Sequence, residues 1–549
     1  MSHQWTEEQQ AIFNELDSGQ SHAIVRARAG TGKTTTIIEG LNYAQESDIL
    51  LAAFNKSIAD TLRKKVENPA VQVKTLHALG FSMVRKHWGS VQVDEDNERA
   101  NGLVTRAFGS ALPDALRGLA RQLHTKAREL TPFAQDVAEI EALATNHDLL
   151  PDVEWEERGW GIERLAKGTL EILDLATEQT GVIDFADMIF LPLVGEMTAP
   201  MASLVIVDEA QDMSMPQLTL AQRVLRDGGR LVLVGDDRQA IYGFRGADSN
   251  ALDRIKAELT AKELGLKMTF RCGRRIVEEA NGFVPDLLAK PDAHEGSVET
   301  VGAERFVPTM VREGSFVLSR TNAPLVGVCL DLIKAGVPAT VRGRDIGKGL
   351  QKVVTKYYHP DLDQFYERLS AWYLKEQKRA KFMKGGASLR LRMVEDQIET
   401  LHALGDRAST TDEVKATLMR IFSDDTPWRT ITCSTVHRAK GLEAPQVWIL
   451  TDTFKWQGQE EDNLKYVAIT RAKDAVRYLT ATGKDFHATG GHEGVGGDAD
   501  EGQRTDPSGA LHGDRVDAGS GGGAGVGVGT VSAGAAREAS SGDPVSGAL

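Results

Sequence analysis

Short aliphatic runs, each closed by a polar or glycine-containing turn, alternate along the chain with longer stretches of helical period. Residues 22–25, Ile49–Ala53, 204–207 and 231–234 are apolar at nearly every position. That is the pattern of strands in a parallel sheet buried on both faces. SFVLSRTNAPL, AGVPATVRG, residues 430–434 and residues 447–450 repeat it farther on. Between the strands, TTIIEGLNYA and DALRGLARQLHTKAREL space their apolar residues for helices. The alternation predicts an α/β fold with parallel sheets. Two regions, residues 81–180 and 346–428, read as helical insertions. After about Asp485 the composition changes to Gly, Ala, Ser and Asp, with too few large apolar residues to offset ordering entropy, so a disordered tail is predicted over 485–549.

Composition narrows the class. At about 100–200 residues per domain, a chain of 549 residues holds several domains, and 41% hydrophobic content suffices for packed cores. No run approaches the roughly 18–20 apolar residues of a membrane span, and MSHQWTEEQQ lacks the basic and apolar regions of a signal peptide. Cys272, Cys329 and Cys433 are far apart and fit neither a zinc pattern nor a disulfide framework. A reducing cytoplasm, bacterial, archaeal or of a virus-infected host, is the expected setting, with a nucleus as the other candidate. The net charge of −14 predicts weak non-specific duplex binding, but local patches decide binding.

The chemistry lies where strands end. In α/β sheets ligands sit at the carboxyl ends of strands. Ala27 to Thr34, ARAGTGKT, follows the first strand and opens a helix. Backbone N–H groups of Gly30, Thr31, Gly32, Lys33, Thr34 and Thr35 suit a phosphate cradle, with Lys33 reaching the β- and γ-oxygens and the Thr34 hydroxyl taking Mg²⁺. Ala27 stands where the strict pattern has Gly, which is tolerated if that position needs only an ordinary φ. VIVDEAQD ends its strand in Asp208 and Glu209, suited to holding Mg²⁺ and polarising the attacking water. Acids in such places often only cap a helix, but that reading leaves the phosphate loop without a partner. A second strand then delivers LVLVGDDRQAIYGFRGAD, with a Gln, an aromatic and an Arg.

These motifs, in this order to about residue 480, resemble a superfamily 1 helicase of the UvrD/Rep type. The resemblance implies two RecA-like P-loop NTPase motor domains with mainly helical insertions. Trp5 to Gln10 is similar to the family's Q motif, implying that Gln9 reads the adenine edge. LLAAFNK and KTLHALG resemble DNA-contacting turns, implicating Phe54, Asn55, Thr75 and His77. Asp184-Phe185-Ala186-Asp187-Met188 resembles the return into the first motor domain. Gln239 matches the γ-phosphate-sensing Gln, Phe244 the base-stacking aromatic and Arg245 the basic residue beside it. TFRCGRRI implies Phe270 on the adenine and Arg271 as an arginine finger. STVHRAKGLE implies His437 near DNA and Glu443 near the ribose, and YVAITRAK implies Arg471 as a second finger. Phe244 replaces a frequent Trp, and Ala444-Pro445 replaces a frequent aromatic.

The resemblance divides the chain into motor domain 1A (1–80 and 181–266), insertion 1B (81–180), motor domain 2A (267–345 and 429–484) and insertion 2B (346–428), the last short for the family. It implies an ATP- and Mg²⁺-dependent 3′→5′ DNA helicase acting on single-stranded DNA and single-strand/duplex junctions in replication, repair or recombination. The alternative is a translocase that strips proteins from single-stranded DNA without productive unwinding. Phe54 fits a stacking step and a core residue equally; Trp155 and Trp160 fit a helical core better than DNA. Lys375, Lys378, Arg379, Lys381 and Lys384 read as a solvated helix face, with a duplex contact as the alternative. The tail or 2B offers a place for protein partners, and no membrane is expected.

Overall fold

The computed structural model describes residues 4–147, 149–151, 153–195, 197–241, 251–380, 387–423 and 429–481. Phe244, Arg245, Lys381, Lys384 and the whole Gly/Ala/Ser/Asp-rich tail therefore lie outside the described residues.

Two six-stranded, all-parallel sheets organise the chain. The first contains β1 (Ala23–Ala27), β2 (Ile49–Ala53), β3 (Val71–Thr75), β4 (Ala202–Val207), β5 (Leu225–Gly235) and β6 (Lys262–Leu266), in the order β3-β2-β4-β5-β1-β6. The second contains β7 (Ser297–Gly302), β8 (Phe316–Ser319), β9 (Ala339–Val341), β10 (Ile431–Thr435), β11 (Ala444–Leu450) and β12 (Ala472–Thr480), in the order β7-β12-β11-β8-β10-β9. Parallel pairing needs crossovers, and the intervening helices supply them.

Burial follows the two-residue period of a strand. In the first sheet Val25, Leu51, Ile206 and Val234 face the helices Glu7–Ser18, Lys33–Gly40 and Lys56–Lys65. Their neighbours Ile24, Leu50, Val207 and Leu233 face the helical region between residues 76 and 194, in one continuous apolar cluster. The second sheet repeats this: Val317, Cys433 and Trp448 pack on the helices between residues 323 and 421, whereas Leu318, Ile449 and Val476 face the helices Arg274–Ala280 and Gln459–Ile469. Each helical insertion thus forms the second layer of its sheet and shares its core. Trp160 is buried in the first of these layers and Trp155 packs against it.

Three sequence details find their physical reasons here. Ala27 is the last residue of β1 and has no positive φ, so its Cβ is accommodated. Pro445 sits at a register shift near the start of β11, where a missing N–H is tolerated. Cys329 and Cys433, far apart in the chain, are side by side in the core, and the hydrogen bond between them, with burial, pushes the Cys433 thiol up.

The DFADM segment carries a buried ion cluster. Arg128, fully buried on the helix Asp114–Leu130, donates to Asp184 at 2.6 and 3.0 Å and to Asp187 at 2.6 Å, and Arg99 also donates to Asp187. Removing one member of a buried pair leaves the other charge uncompensated. Arg128→Ala is expected to destabilise the fold by about 3–5 kcal/mol, read as a lower urea midpoint, whereas Lys167→Ala, which breaks the exposed Lys167–Glu163 pair, should leave the midpoint nearly unchanged.

Candidate nucleotide and nucleic-acid sites

The phosphate loop joins β1 to the helix Lys33–Gly40, and two glycines make its shape possible. Gly30 (φ +73°) and Gly32 (φ +77°) occupy the left-handed region that side chains disfavour. A Cβ on Gly30 would also stand 2.5 Å from the Thr269 hydroxyl and 2.7 Å from the Arg271 Cβ. The segment carrying Thr269, Phe270 and Arg271 therefore backs directly onto the loop, and the Phe270 N–H donates to the Gly30 carbonyl at 2.9 Å. Loop and segment border a cleft of about 330 Å³ that also reaches Glu209, Asp212, Gln239, Lys440 and Arg471.

Charge in this cleft is tightly held. Lys33 Nζ lies 2.8 Å from Glu209 Oε2, which also accepts from Gln211 Nε2 at 2.6 Å. Burial alone would raise the Glu209 carboxyl, but Lys33 and Lys440 pull it down to about 2, so it is ionised at neutral pH. Glu209 adopts φ +54°, a conformation that costs a side-chain-bearing residue roughly 1–3 kcal/mol and persists where surrounding structure enforces it. Asp208 is buried, and burial followed by the Glu209 charge pushes its carboxyl up to about 6. A buried carboxylate with that deficit of positive charge fits a hard cation. Asp208 after β4 and the Thr34 hydroxyl on the helix Lys33–Gly40 are hard oxygen donors of the kind Mg²⁺ takes one or two of when phosphates and water complete its shell. Among the described residues no group of three or more His, Cys, Asp or Glu side chains forms a metal site by itself.

The opposite wall comes from the second sheet's half of the chain. Arg471 is 1% exposed; its Nη2 donates to Gln239 Oε1 at 3.3 Å and its Nε to the Val467 carbonyl at 3.0 Å. No carboxylate among the described residues is within ion-pair distance of it, and burial with the nearby Arg271 lowers its pKa to about 10. Arg271 donates to the Thr470 carbonyl at 3.0 Å and pairs with Glu443 at 2.8 Å, and Glu443 also pairs with Lys473. The expected pair of guanidiniums is thus brought together beside Gln239, across from Lys33. Glu443 meets Arg271 and Lys473. Gln9 is buried beside the loop, its Oε1 accepting from the Thr6 N–H at 3.0 Å and its Nε2 donating to Thr36 Oγ1 at 3.0 Å. Phe270 is 44% exposed.

Several residues of the cleft passed unnoticed in the sequence. Arg28 bridges Asp236, Asp237 and Asp286. Lys440 pairs with Asp212 at 2.6 Å and reaches the Gln239 carbonyl. Asn463 and Tyr466 contact the first half. All but Asp286 and Asn463 lie inside or beside motifs already singled out, but their partners are distant in the chain, several of them across the cleft, where no local spacing points.

The expected nucleic-acid residues that are described collect at the carboxyl edges of the sheets. Ala53 pairs in register with Thr75, so Phe54 and Asn55 leave β2 beside the point where Thr75 and His77 leave β3. Asn55 and Thr75 cap the following helices, accepting from the N–H groups of Ile58 at 3.0 Å and Ala78 at 3.1 Å. Phe54 is half-buried against the first core. The His77 ring lies edge-on to Phe185, 6.5 Å between centroids, and Phe185 is 58% exposed. His437 follows β10 at the corresponding edge of the second sheet.

Comparison with known proteins agrees with this geometry. Residues 5–260 match the UvrD/REP helicase N-terminal domain and residues 430–478 the UvrD-like helicase C-terminal domain. The chain is 26% identical over 529 residues to F-box DNA helicase protein 1 of Schizosaccharomyces pombe, covering 85% of this chain and 56% of that protein. It is 25% identical over 301 residues to ATP-dependent DNA helicase Rep of Salmonella typhimurium, covering 48% and 42%, and 21% identical over 286 residues to DNA helicase II of Escherichia coli, covering 48% and 38%. The chain thus spans between 38% and 56% of the length of these relatives. Among the described residues no helix is long and apolar enough to cross a membrane. With both terminal domains matched and the motifs assembled around one cleft, the chain belongs to the UvrD/Rep-like superfamily 1 helicases.

Proposed function

We propose that this chain is an ATP-driven motor that moves 3′→5′ along single-stranded DNA and unwinds duplex DNA, in replication, repair or recombination. The observation that carries the reading is Arg471: a buried guanidinium with no carboxylate partner among the described residues, next to Gln239 and across the cleft from Lys33. Such a group suits an anion that joins the two halves, and the γ-phosphate of ATP is that anion. The names of the relatives, DNA helicases all, support DNA as the track. Polarity rests on the likeness of QAIYGFRGAD and YVAITRAKD to the 3′→5′ branch.

In this reading residues 1–80 with 181–266 and residues 267–345 with 429–484 are the two motor domains. Lys33 and the N–H groups of the loop hold the phosphates, Thr34 and Asp208 hold Mg²⁺, and Phe270 and Gln9 flank the base. Mg²⁺ supplies charge neutralisation at the phosphates. Glu209, ionised, orients and polarises the attacking water. Arg271 and Arg471 stabilise charge on the transferring phosphoryl, a contribution of about 10³–10⁵ in rate for arginine fingers. With ATP bound, the γ-phosphate attracts both halves; after hydrolysis that attraction is lost and the halves part. Phe54, Asn55, Thr75 and His77 on one edge, and His437 on the other, then shift relative to one another along the bound strand. The likeness to the family adds Phe244 and Arg245, outside the described residues, to the DNA-contacting set.

Strand displacement by the purified protein, with Mg²⁺ and ATP, on duplexes bearing a 3′ or a 5′ single-stranded tail tests the proposal, with Glu209→Gln as control. Displacement only from the 3′ tail, lost in the variant, is expected. DNA-stimulated hydrolysis without displacement from either tail would replace unwinding by protein-stripping translocation.

The exposed Phe185 beside His77 offers a further stacking surface. Base–aromatic stacking contributes about 1–3 kcal/mol per base, so Phe185→Ala is expected to raise the Kd for an oligothymidylate about tenfold while ADP affinity stays unchanged, as measured by fluorescence anisotropy. An unaltered Kd would leave Phe185 as mere exposed surface.

A further inference from the structure

Asp236 directly follows β5 and is fully buried. Its Oδ2 accepts from Gln239 Nε2 at 2.7 Å and its Oδ1 from Arg28 Nη1 at 3.1 Å and from the Arg238 N–H at 3.2 Å. The same carboxylate is reached from the other half of the chain. Tyr466, on the helix Gln459–Ile469, donates its hydroxyl to Asp236 Oδ2 at 3.4 Å and accepts the Ala29 N–H of the phosphate loop at 2.9 Å. Less than one turn earlier on that helix, Asn463 Nδ2 donates to the Ala240 carbonyl at 3.0 Å and to the Asp237 carbonyl at 3.4 Å. Ala29 directly precedes Gly30, and Ala240 directly follows Gln239. One helix face therefore grips both the phosphate loop and the turn that presents Gln239.

Tyr466 has no exposed surface. Burial, and then the Asp236 charge, holds its phenol well above the ordinary value, so it keeps the proton it donates. The helix ends at Ile469, and Arg471 follows two residues later. Parting of the halves would withdraw Asn463, Tyr466 and Arg471 as one body. The Ala29 N–H would then lose its acceptor and Asp236 one of its donors, and a buried polar group left unpaired is costly. The shape of the loop is thereby tied to the contact between the halves.

We propose that Tyr466 and Asn463 are a positioning pair that sets the phosphate loop and the Gln239 turn in register for the γ-phosphate, and releases both when the halves separate. The inference rests on the nucleotide reading above. It predicts that ligands joining the halves depend on Tyr466, whereas ligands held by the phosphate loop and adenine side alone do not.

The test compares the affinity of the full chain for ADP with its affinity for ADP–beryllium fluoride, a γ-phosphate mimic, by isothermal titration calorimetry with Mg²⁺. In Tyr466→Phe, which removes only the hydroxyl, ADP affinity is expected to stay within about twofold, while affinity for the mimic falls about tenfold, with a comparable fall in the kcat of DNA-stimulated hydrolysis. Asn463→Ala should give the same split and serves if Tyr466→Phe loses its cooperative melt. Tyr478→Phe removes another hydroxyl of the same half, one that donates to Glu279 at 2.6 Å away from the cleft, and should leave both affinities unchanged. Equal losses for both ligands, or none for either, in folded variants would overturn the proposal. If wild type fails to bind ADP, or Lys33→Ala binds it equally tightly, the nucleotide reading falls and the inference with it.

Discussion

The whole site depends on one electrostatic constraint: a charge taken out of water must meet an opposite charge or a set of hydrogen bonds. On the first half of the cleft that condition is met largely from within, since Lys33 faces Glu209 and Arg28 faces Asp236 and Asp237, with Asp286 reaching Arg28 from the second half. On the second half it is met only partly. Arg271 has Glu443, but among the described residues Arg471 meets only carbonyl oxygens, the Thr470 hydroxyl and Gln239. In the proposed reading an anion entering between the halves supplies the missing charge, so binding and closure become the same event. In that reading ATP hydrolysis, by moving the γ-phosphate away, then acts on the contact between two bodies and not on one pocket.

The sheets place these groups. Parallel strands send all their carboxyl ends to one edge, and the loops leaving β1, β4 and β5 bring Lys33, Asp208, Glu209 and Gln239 to one cleft. The helical insertions cover the faces that would otherwise expose Ile24, Leu50 and Leu233 in one sheet and Val317 and Trp448 in the other. A moving insertion would have to drag its sheet with it. Each half can therefore shift as a unit, and the contacts at Ala29 and Ile241, which pack into the second half's core, mark where the two units meet.

Much of this was legible in the sequence for local reasons. Continuous apolar runs marked β2, β4 and β5, and the glycines of ARAGTGKT marked the loop that adopts positive φ at Gly30 and Gly32, whereas the capping by Asn55 and Thr75 appears only in the fold. What stayed hidden is long-range. Arg128 explains Asp184 and Asp187, yet nothing in a helical stretch some fifty residues upstream singles it out. Tyr466 sits inside YVAITRAK, where attention falls on Arg471, and only folding shows its hydroxyl at the phosphate loop. Cys329 and Cys433 looked unrelated because the crossover that pairs β8 with β10 is interrupted by a helical insertion.

The central claim is that nucleotide with a γ-phosphate holds the halves together. Its most direct test is the distance between spin labels at Lys65→Cys in the first half and Lys334→Cys in the second, measured by double electron–electron resonance with ADP–beryllium fluoride, with ADP and without nucleotide. Both positions are exposed, and the native cysteines are buried. A narrow distribution is expected with the γ-phosphate mimic and a broader, shifted one in the other two states. The same distribution in all three would contradict the claim.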